Sequence, residues 1–121
     1  KEQWKRATKN TFNRTGIEGV WGRQMSDPDT IMVKFILDHT WVWVVMNKNT
    51  GLITKSLGGT FEYNAPEYIE KSEFHFNSPN SIGGTLQSEL TVQGEELSLV
   101  GTINRDGEKN QLKETWKRFE W

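Results

Sequence analysis

Two carboxylates, Glu70 and Glu114, are the residues that could do chemistry, because each alternates with aromatic residues along the chain. A carboxylate among aromatic side chains must be paired, protonated or hydrated, since an isolated buried charge is strongly disfavoured. The two groups could act as acid and base in an enzyme if burial separated their pKa values. They could equally anchor a ligand by hydrogen bonds, or form internal ion pairs with Arg23 or Arg118. The residue types alone leave these hypotheses open.

Other kinds of catalysis find no support in the residue inventory. The chain has no Cys, two His and no Gly-x-Ser-x-Gly elbow. We place His39 at a hairpin tip and His75 on a polar strand face, so that both are surface histidines. No spacing of His, Asp or Glu gives converging metal ligands. We therefore expect neither a metal nor a cofactor.

Length and composition narrow the functional classes further. The 121 residues fit a single domain, and 15 basic against 16 acidic residues argue against a basic nucleic-acid binder. No apolar run approaches the roughly 18 residues that a membrane-spanning helix needs. Aromatic residues make up 12% of the chain, with six Trp, six Phe and two Tyr. Rings of this size either fill the core of a small domain or wall a ligand cavity.

Short alternating segments separated by turn residues position these side chains. The predicted strands are 19–25, 30–37, 41–46, 52–63, 68–76, 84–92, 96–104 and 111–119. Their connectors contain Gly, Pro, Asn or Asp and are too short for parallel crossovers, so neighbouring strands must be antiparallel. Closure into an up-and-down barrel of about eight strands would hide the sheet edges. The sequence thus predicts an all-β barrel over 16–121, with a two-sheet sandwich as the alternative.

Two local features refine this picture. Residues 1–15 are polar apart from Trp4 and Phe12, which predicts a short N-terminal helix or arm docked on the barrel. The glycine pairs at 58–59 and 83–84 are typical of bulges or bends that curve a long strand.

The side chains that face inward depend on the length of the second hairpin loop. A three-residue loop over 38–40 places Phe35 opposite Trp43, with both on the inner face. A two-residue loop would instead group Phe35 with Val42 and Val44. We adopt the three-residue loop.

One motif resembles a known family. Gly19-Val20-Trp21 resembles the Gly-x-Trp signature of lipocalins and other calycins, in which the Trp closes one end of the barrel. An Arg of the last strand packs over that Trp, and the resemblance implies this structural role for Trp21 and Arg118. A guanidinium stacked on an indole gains cation–π attraction.

Longer stretches, 38–44, 58–61, 68–74 and 113–118, resemble a family of small bacterial lipocalin-like proteins. Members are usually exported or membrane-associated and their function is largely unassigned. The resemblance implies a lipocalin-like barrel and a periplasmic or secreted location. Lys71 departs from the family, which often has His at that position.

We predict that the barrel holds a small, mainly apolar or amphiphilic molecule. The expected ligand-binding residues are Phe35, Trp41, Trp43, Phe61, Tyr63, Tyr68, Glu70, Phe74, Glu114 and Trp116. Because acidic groups outnumber the evident interior bases, a neutral or amine-bearing ligand is expected. The alternatives are an enzyme that uses Glu70 and Glu114, and a structural barrel with a filled core. We expect no nucleic acid and no membrane span, and a monomer or homodimer.

Overall fold

The computed structural model describes residue 3 and residues 16–119. The strands of this part are β1 (Gly19–Gln24), β2 (Thr30–Leu37), β3 (Thr40–Asn47), β4 (Ile53–Asn64), β5 (Glu67–Phe76), β6 (Thr85–Gln93), β7 (Glu96–Arg105) and β8 (Glu108–Arg118), with a 3₁₀ helix at Pro79–Ser81. Each strand pairs antiparallel with the next, and β8 pairs with β1 to close the barrel. The predicted eight-stranded up-and-down barrel is confirmed. The helix or arm predicted over 1–15 falls, residue 3 apart, outside the described residues.

Tight turns explain why consecutive strands return antiparallel. Arg105 pairs with Glu108, so that only Asp106 and Gly107 form the turn between β7 and β8. Both have positive φ, 52° and 78°, as a type I′ hairpin turn requires. Such turns match the right-handed twist of the strands that they join.

The hairpin between β2 and β3 corrects the predicted register. Leu37 pairs with Thr40, so the loop is the two residues Asp38 and His39 rather than three. Phe35 therefore pairs with Val42 on the outer face of the barrel, and its predicted place in the ligand wall is wrong. Because side chains alternate with period two, one residue of loop length moves the whole strand to the opposite face.

The inner and outer faces of β2 and β3 follow from this register. Met32, Lys34 and Ile36 share the inner face with Trp41, Trp43 and Val45, and the outer face carries Ile31, Val33, Phe35, Val42 and Val44. The two-residue alternative is therefore the one that the structure adopts, and it brings a lysine into the interior.

A β-bulge between β4 and β5 corrects a second position. Gly59 pairs with Ser72 while Gly58 pairs with Phe74, so Glu73 is the extra residue. The bulge reverses the alternation beyond it, and Phe74 lies 47% exposed with its ring over Gly58 on the outer face. Its predicted place on the inner face is wrong. The bulge itself was expected at the glycine pair, where a Cβ on Gly59 would collide with the carbonyl oxygen of Lys71.

One end of the barrel is closed by Trp21 and Arg118. The Arg118 guanidinium carbon lies 3.9 Å from the centre of the Trp21 ring, which is fully buried. The guanidinium also donates to the carbonyl oxygens of Glu18 at 2.7 Å and Gly16 at 3.2 Å. The indole Nε1 of Trp21 donates to the carbonyl of Ile17 at 2.9 Å. This is the contact that the Gly-x-Trp resemblance implies.

Candidate functional site

An ionic cluster lies inside the barrel, in a place that apolar side chains could have filled. Lys34 on β2 is 2% exposed and forms an ion pair and hydrogen bond with Glu70 on β5, which is 5% exposed. Tyr68, also fully buried, donates its hydroxyl to the same Glu70 carboxylate at 2.5 Å. The carboxylate thus receives two donors, as a buried charge requires.

Aromatic rings surround the ammonium of Lys34. Its Nζ lies 5.3 Å from the Trp41 ring centre, 5.5 Å from that of Tyr68 and 5.6 Å from that of Trp116. All three distances are within the range of cation–π attraction. The rings therefore offset part of the cost of removing the ammonium from water.

The hydroxyl of Tyr68 is held in its neutral, donating form. Burial raises the pKa of Tyr68 well above its usual range, and the negative charge and hydrogen bond of Glu70 raise it further. A phenolate beside the Glu70 carboxylate would place two negative charges in one buried site. Tyr68 consequently remains a hydrogen-bond donor at neutral pH.

A second ion pair involves Glu114 on β8. Arg23 of β1 donates Nη1 to Glu114 Oε2 at 2.9 Å, and Trp116 donates Nε1 to Oε1 at 3.2 Å. The Glu114 side chain is 16% exposed and that of Arg23 36% exposed, so this pair meets solvent more than the Lys34–Glu70 pair does. The Arg23 partner is one of the two arginines that the sequence proposed.

A cavity of about 120 Å³ lies beside both ion pairs. Its apolar walls are Met32, Trp43, Leu57, Leu86, Ile103 and Leu112. Its polar or charged walls are Lys34, Glu70, Arg105, Glu114 and Trp116. Arg105 is the last residue of β7, and therefore marks the barrel end opposite the Trp21–Arg118 closure.

Four of the ten predicted ligand-binding residues line this cavity, namely Trp43, Glu70, Glu114 and Trp116. Four others face inward but pack in the core, namely Trp41, Phe61, Tyr63 and Tyr68. Trp41 donates Nε1 to the carbonyl oxygens of Thr60 at 3.0 Å and Lys71 at 3.3 Å.

The remaining inward residues form an aromatic group. The ring centres of Phe61 and Tyr68 are 5.4 Å apart, and those of Tyr63 and Tyr68 are 6.3 Å apart. Phe61 is 5% exposed, so this group fills the interior. Phe35 and Phe74 lie on the outer face, as described above.

Sequence reasoning missed Lys34. The sequence prediction placed Phe35 on the inner face of β2. Because neighbouring side chains of a strand point to opposite faces, it placed Lys34 on the surface. The two-residue loop would have reversed that assignment. With Lys34 and Arg23 inside, Glu70 and Glu114 each have a cationic partner, and the expectation that these two acidic groups outnumber the interior bases is wrong.

A second depression lies on the outer surface and has a different character. It measures about 250 Å³ and is lined by His39, Thr60, Phe61, Glu62, Ile69 and Lys71. Its charged side chains are exposed. Because water already solvates these groups, they gain less from a ligand than the buried charges of the interior cavity do.

The two histidines lie on the surface of the barrel. His39 and His75 are exposed, and His75 Nδ1 accepts a hydrogen bond from the Ser78 backbone N–H at 3.2 Å. Within residue 3 and residues 16–119, no three His, Cys, Asp or Glu side chains converge as metal ligands. In the same part of the chain, no helix is long and apolar enough to cross a membrane.

Comparisons with known proteins give no relative. No protein-family model, curated protein or solved structure matches this chain.

Proposed function

We propose that this protein binds a small apolar molecule, or the apolar end of an amphiphile, in the cavity beside Lys34, Glu70 and Glu114. The observation that carries the proposal is the cavity of about 120 Å³, open space inside the barrel that borders buried ionic groups. Six of its eleven lining residues are apolar, and the others are polar or charged. We further propose that the protein is lipocalin-like, and the Trp21–Arg118 contact at the other end of the barrel supports this. A periplasmic or secreted location is part of the same proposal, because the resemblance to lipocalin-like proteins implies it.

The volume limits the ligand. Drug-sized ligands occupy roughly 300–1,000 Å³. An apolar cavity of about 150 Å³ holds benzene, so the ligand portion inside this barrel has roughly six non-hydrogen atoms or fewer. Ligands this small gain at most about 1.5 kcal/mol per atom, or about 9 kcal/mol for six atoms, so the dissociation constant is about micromolar or weaker.

The charges of the cavity wall indicate where a polar group of the ligand would lie. Lys34 is paired with Glu70 and Arg23 with Glu114, so these two pairs leave no net charge in the interior. Arg105 adds a guanidinium at the barrel end opposite Trp21. An amphiphile would therefore place its apolar end in the cavity and a neutral or anionic group beside Arg105.

1-Fluorobutane is a suitable probe, because its five non-hydrogen atoms are within the limit that the cavity volume sets and its ¹⁹F signal reports binding. We expect saturable line broadening with the wild-type protein. Leu112→Trp should weaken binding at least tenfold, because the larger side chain occupies the cavity. Val100→Trp is the matched control, since Val100 is 51% exposed on the neighbouring strand β7. Absence of broadening up to the solubility limit, or equal broadening in both variants, would contradict the proposal and favour a filled structural barrel.

A further inference from the structure

Lys34 carries a primary amine into the wall of the cavity. Its side chain is 3% exposed, its ammonium is paired with Glu70, and Lys34 and Glu70 both line the same space. A Leu or Met at this position would fill the barrel without any desolvation cost, and buried ion pairs are often no more stabilising than such apolar replacements. The stability of the barrel therefore gives no reason to place an amine here.

The surroundings of Lys34 combine the elements that amine chemistry needs. Glu70 lies within hydrogen-bond distance of Nζ and can accept its proton. Tyr68 donates to Glu70 and fixes the orientation of that carboxylate. The rings of Trp41, Tyr68 and Trp116 stabilise a cation at the nitrogen and exclude water from it.

We propose that Lys34 forms an imine with a small aldehyde that enters the cavity, and that Glu70 is the base and then the counter-ion. The inference deepens the proposed function and rests on it, because it names the class of ligand that the same cavity takes. The cavity volume of about 120 Å³ favours an aliphatic aldehyde of roughly three to five carbons.

The reaction needs no other reactant. The Lys34 ammonium transfers a proton to the Glu70 carboxylate, and the free amine forms a C–N bond with the carbonyl carbon. The carbonyl oxygen takes up a proton from the attacking nitrogen and gives a neutral carbinolamine. The proton on Glu70 then goes to the hydroxyl group, which leaves as water while the nitrogen lone pair forms the C=N bond. The product is a protonated imine that keeps the positive charge of Lys34 beside a Glu70 carboxylate.

Reductive trapping tests this proposal on the wild-type protein. Butanal is added at limiting concentration with cyanoborohydride, and the butylated lysines are located by peptide mass spectrometry. Lys113 and Lys117 are exposed on β8 and serve as internal controls. We expect Lys34 to be butylated at least about tenfold faster than either control, because the cavity holds the aldehyde beside the amine. Butylation of Lys34 at or below the rate of the controls overturns the proposal.

Variants and a non-reactive analogue separate the steps. Glu70→Gln should slow butylation of Lys34 at least about tenfold and leave Lys113 unchanged. Glu89→Gln, an exposed position on β6, is the matched control and should leave Lys34 as reactive as in the wild type. An unchanged rate in folded Glu70→Gln would overturn the role of Glu70, and the wild-type ratio stays decisive if that variant does not fold.

1-Butanol separates failure of this inference from failure of the proposed function. The alcohol has the size of butanal but cannot form an imine, and it should displace 1-fluorobutane from the cavity. Displacement without butylation of Lys34 would overturn the imine and leave the binding function intact. If neither 1-fluorobutane nor 1-butanol binds, both proposals are wrong.

Discussion

Lys34 and Glu70 lie on strands that are not neighbours in the barrel, yet their charged groups form an ion pair across its interior. β2 and β5 are separated by β3 and β4, so no backbone hydrogen bonds join them directly. The pair therefore links two strands that are not adjacent in the barrel wall through side chains alone. Mutation can separate the contribution of the Lys34–Glu70 pair to stability from its proposed role in imine formation.

Removal of one partner should destabilise the protein more than removal of both. Lys34→Met leaves the Glu70 carboxylate buried without its cation, and we expect a loss of about 3–5 kcal/mol in the free energy of unfolding. The double variant Lys34→Met, Glu70→Gln should recover a large part of that loss, because Gln still accepts the hydrogen bond of Tyr68. Urea unfolding of the wild type, Lys34→Met, Glu70→Gln and the double variant gives the four stabilities that this comparison needs. Additive losses in the double variant would show that the two side chains do not depend on each other.

Tyr68 should make the protein less stable at alkaline pH. Its pKa is raised in the folded state, chiefly by burial, whereas the tyrosine of the unfolded chain ionises near pH 10. Above about pH 10 the unfolded chain loses a proton that the folded protein retains, so the free energy of unfolding falls as the pH rises. Below that pH the contribution of Tyr68 is fully present.

The alkaline prediction is best measured in a Tyr63→Phe background. The chain has two tyrosines, so phenolate absorbance in this variant reports Tyr68 alone. We expect phenolate to form together with unfolding. Urea unfolding of Tyr68→Phe should show a weaker fall in stability over the same alkaline range. Phenolate formation near pH 10 in a protein that is still folded would contradict the raised pKa.

The fold was predictable because its determinants are local. Turn residues separate alternating segments, and each predicted strand overlaps the observed one with ends that differ by a few residues. The connectors are too short for parallel crossovers, which leaves an antiparallel order, and closure removes the exposed edges. The bulge at Gly58-Gly59 also followed from the sequence, since paired glycines permit the close backbone approach found there.

The site was less predictable because it depends on which side chains of each strand face the interior. One residue of loop length at 38–39 decides whether Phe35 or Lys34 faces inward, and turn residues alone do not fix that length. The extra residue Glu73 likewise turns Phe74 outward, although the same strand has Glu70 inside. Each error is a shift of one residue, and each exchanges the inner and outer faces of a strand segment.

The Trp21–Arg118 closure should contribute measurably to stability. Arg118→Ala removes the cation–π contact and leaves the carbonyl groups of Gly16 and Glu18 without their donor, so we expect a loss of about 1–2 kcal/mol. Arg118→Lys should recover only part of it, because an ammonium cannot stack flat on the indole. The control Lys117→Ala, at an exposed neighbouring position, should change the free energy of unfolding by less than about 0.5 kcal/mol. Equal effects of Arg118→Ala and Lys117→Ala would contradict a structural role for the closure.

Gly59 should tolerate no side chain, whereas Gly22 should. A Cβ at Gly59 would collide with the carbonyl oxygen of Lys71, a backbone atom fixed by the bulge. We therefore expect Gly59→Ala to lower the free energy of unfolding by about 3 kcal/mol, the upper end of the usual range for overpacking.

Gly22 is the matched control. At Gly22 the nearest atoms are 3.3–3.5 Å away and belong to the side chains of Phe119 and Ile31, which can adjust. Gly22→Ala should stay within about 1 kcal/mol of the wild type, since alanine also reduces the entropy of the unfolded chain. Thermal unfolding of both variants gives the comparison. A Gly59→Ala protein as stable as Gly22→Ala would mean that β5 can move away from β4, and that the bulge does not hold Phe74 on the outer face.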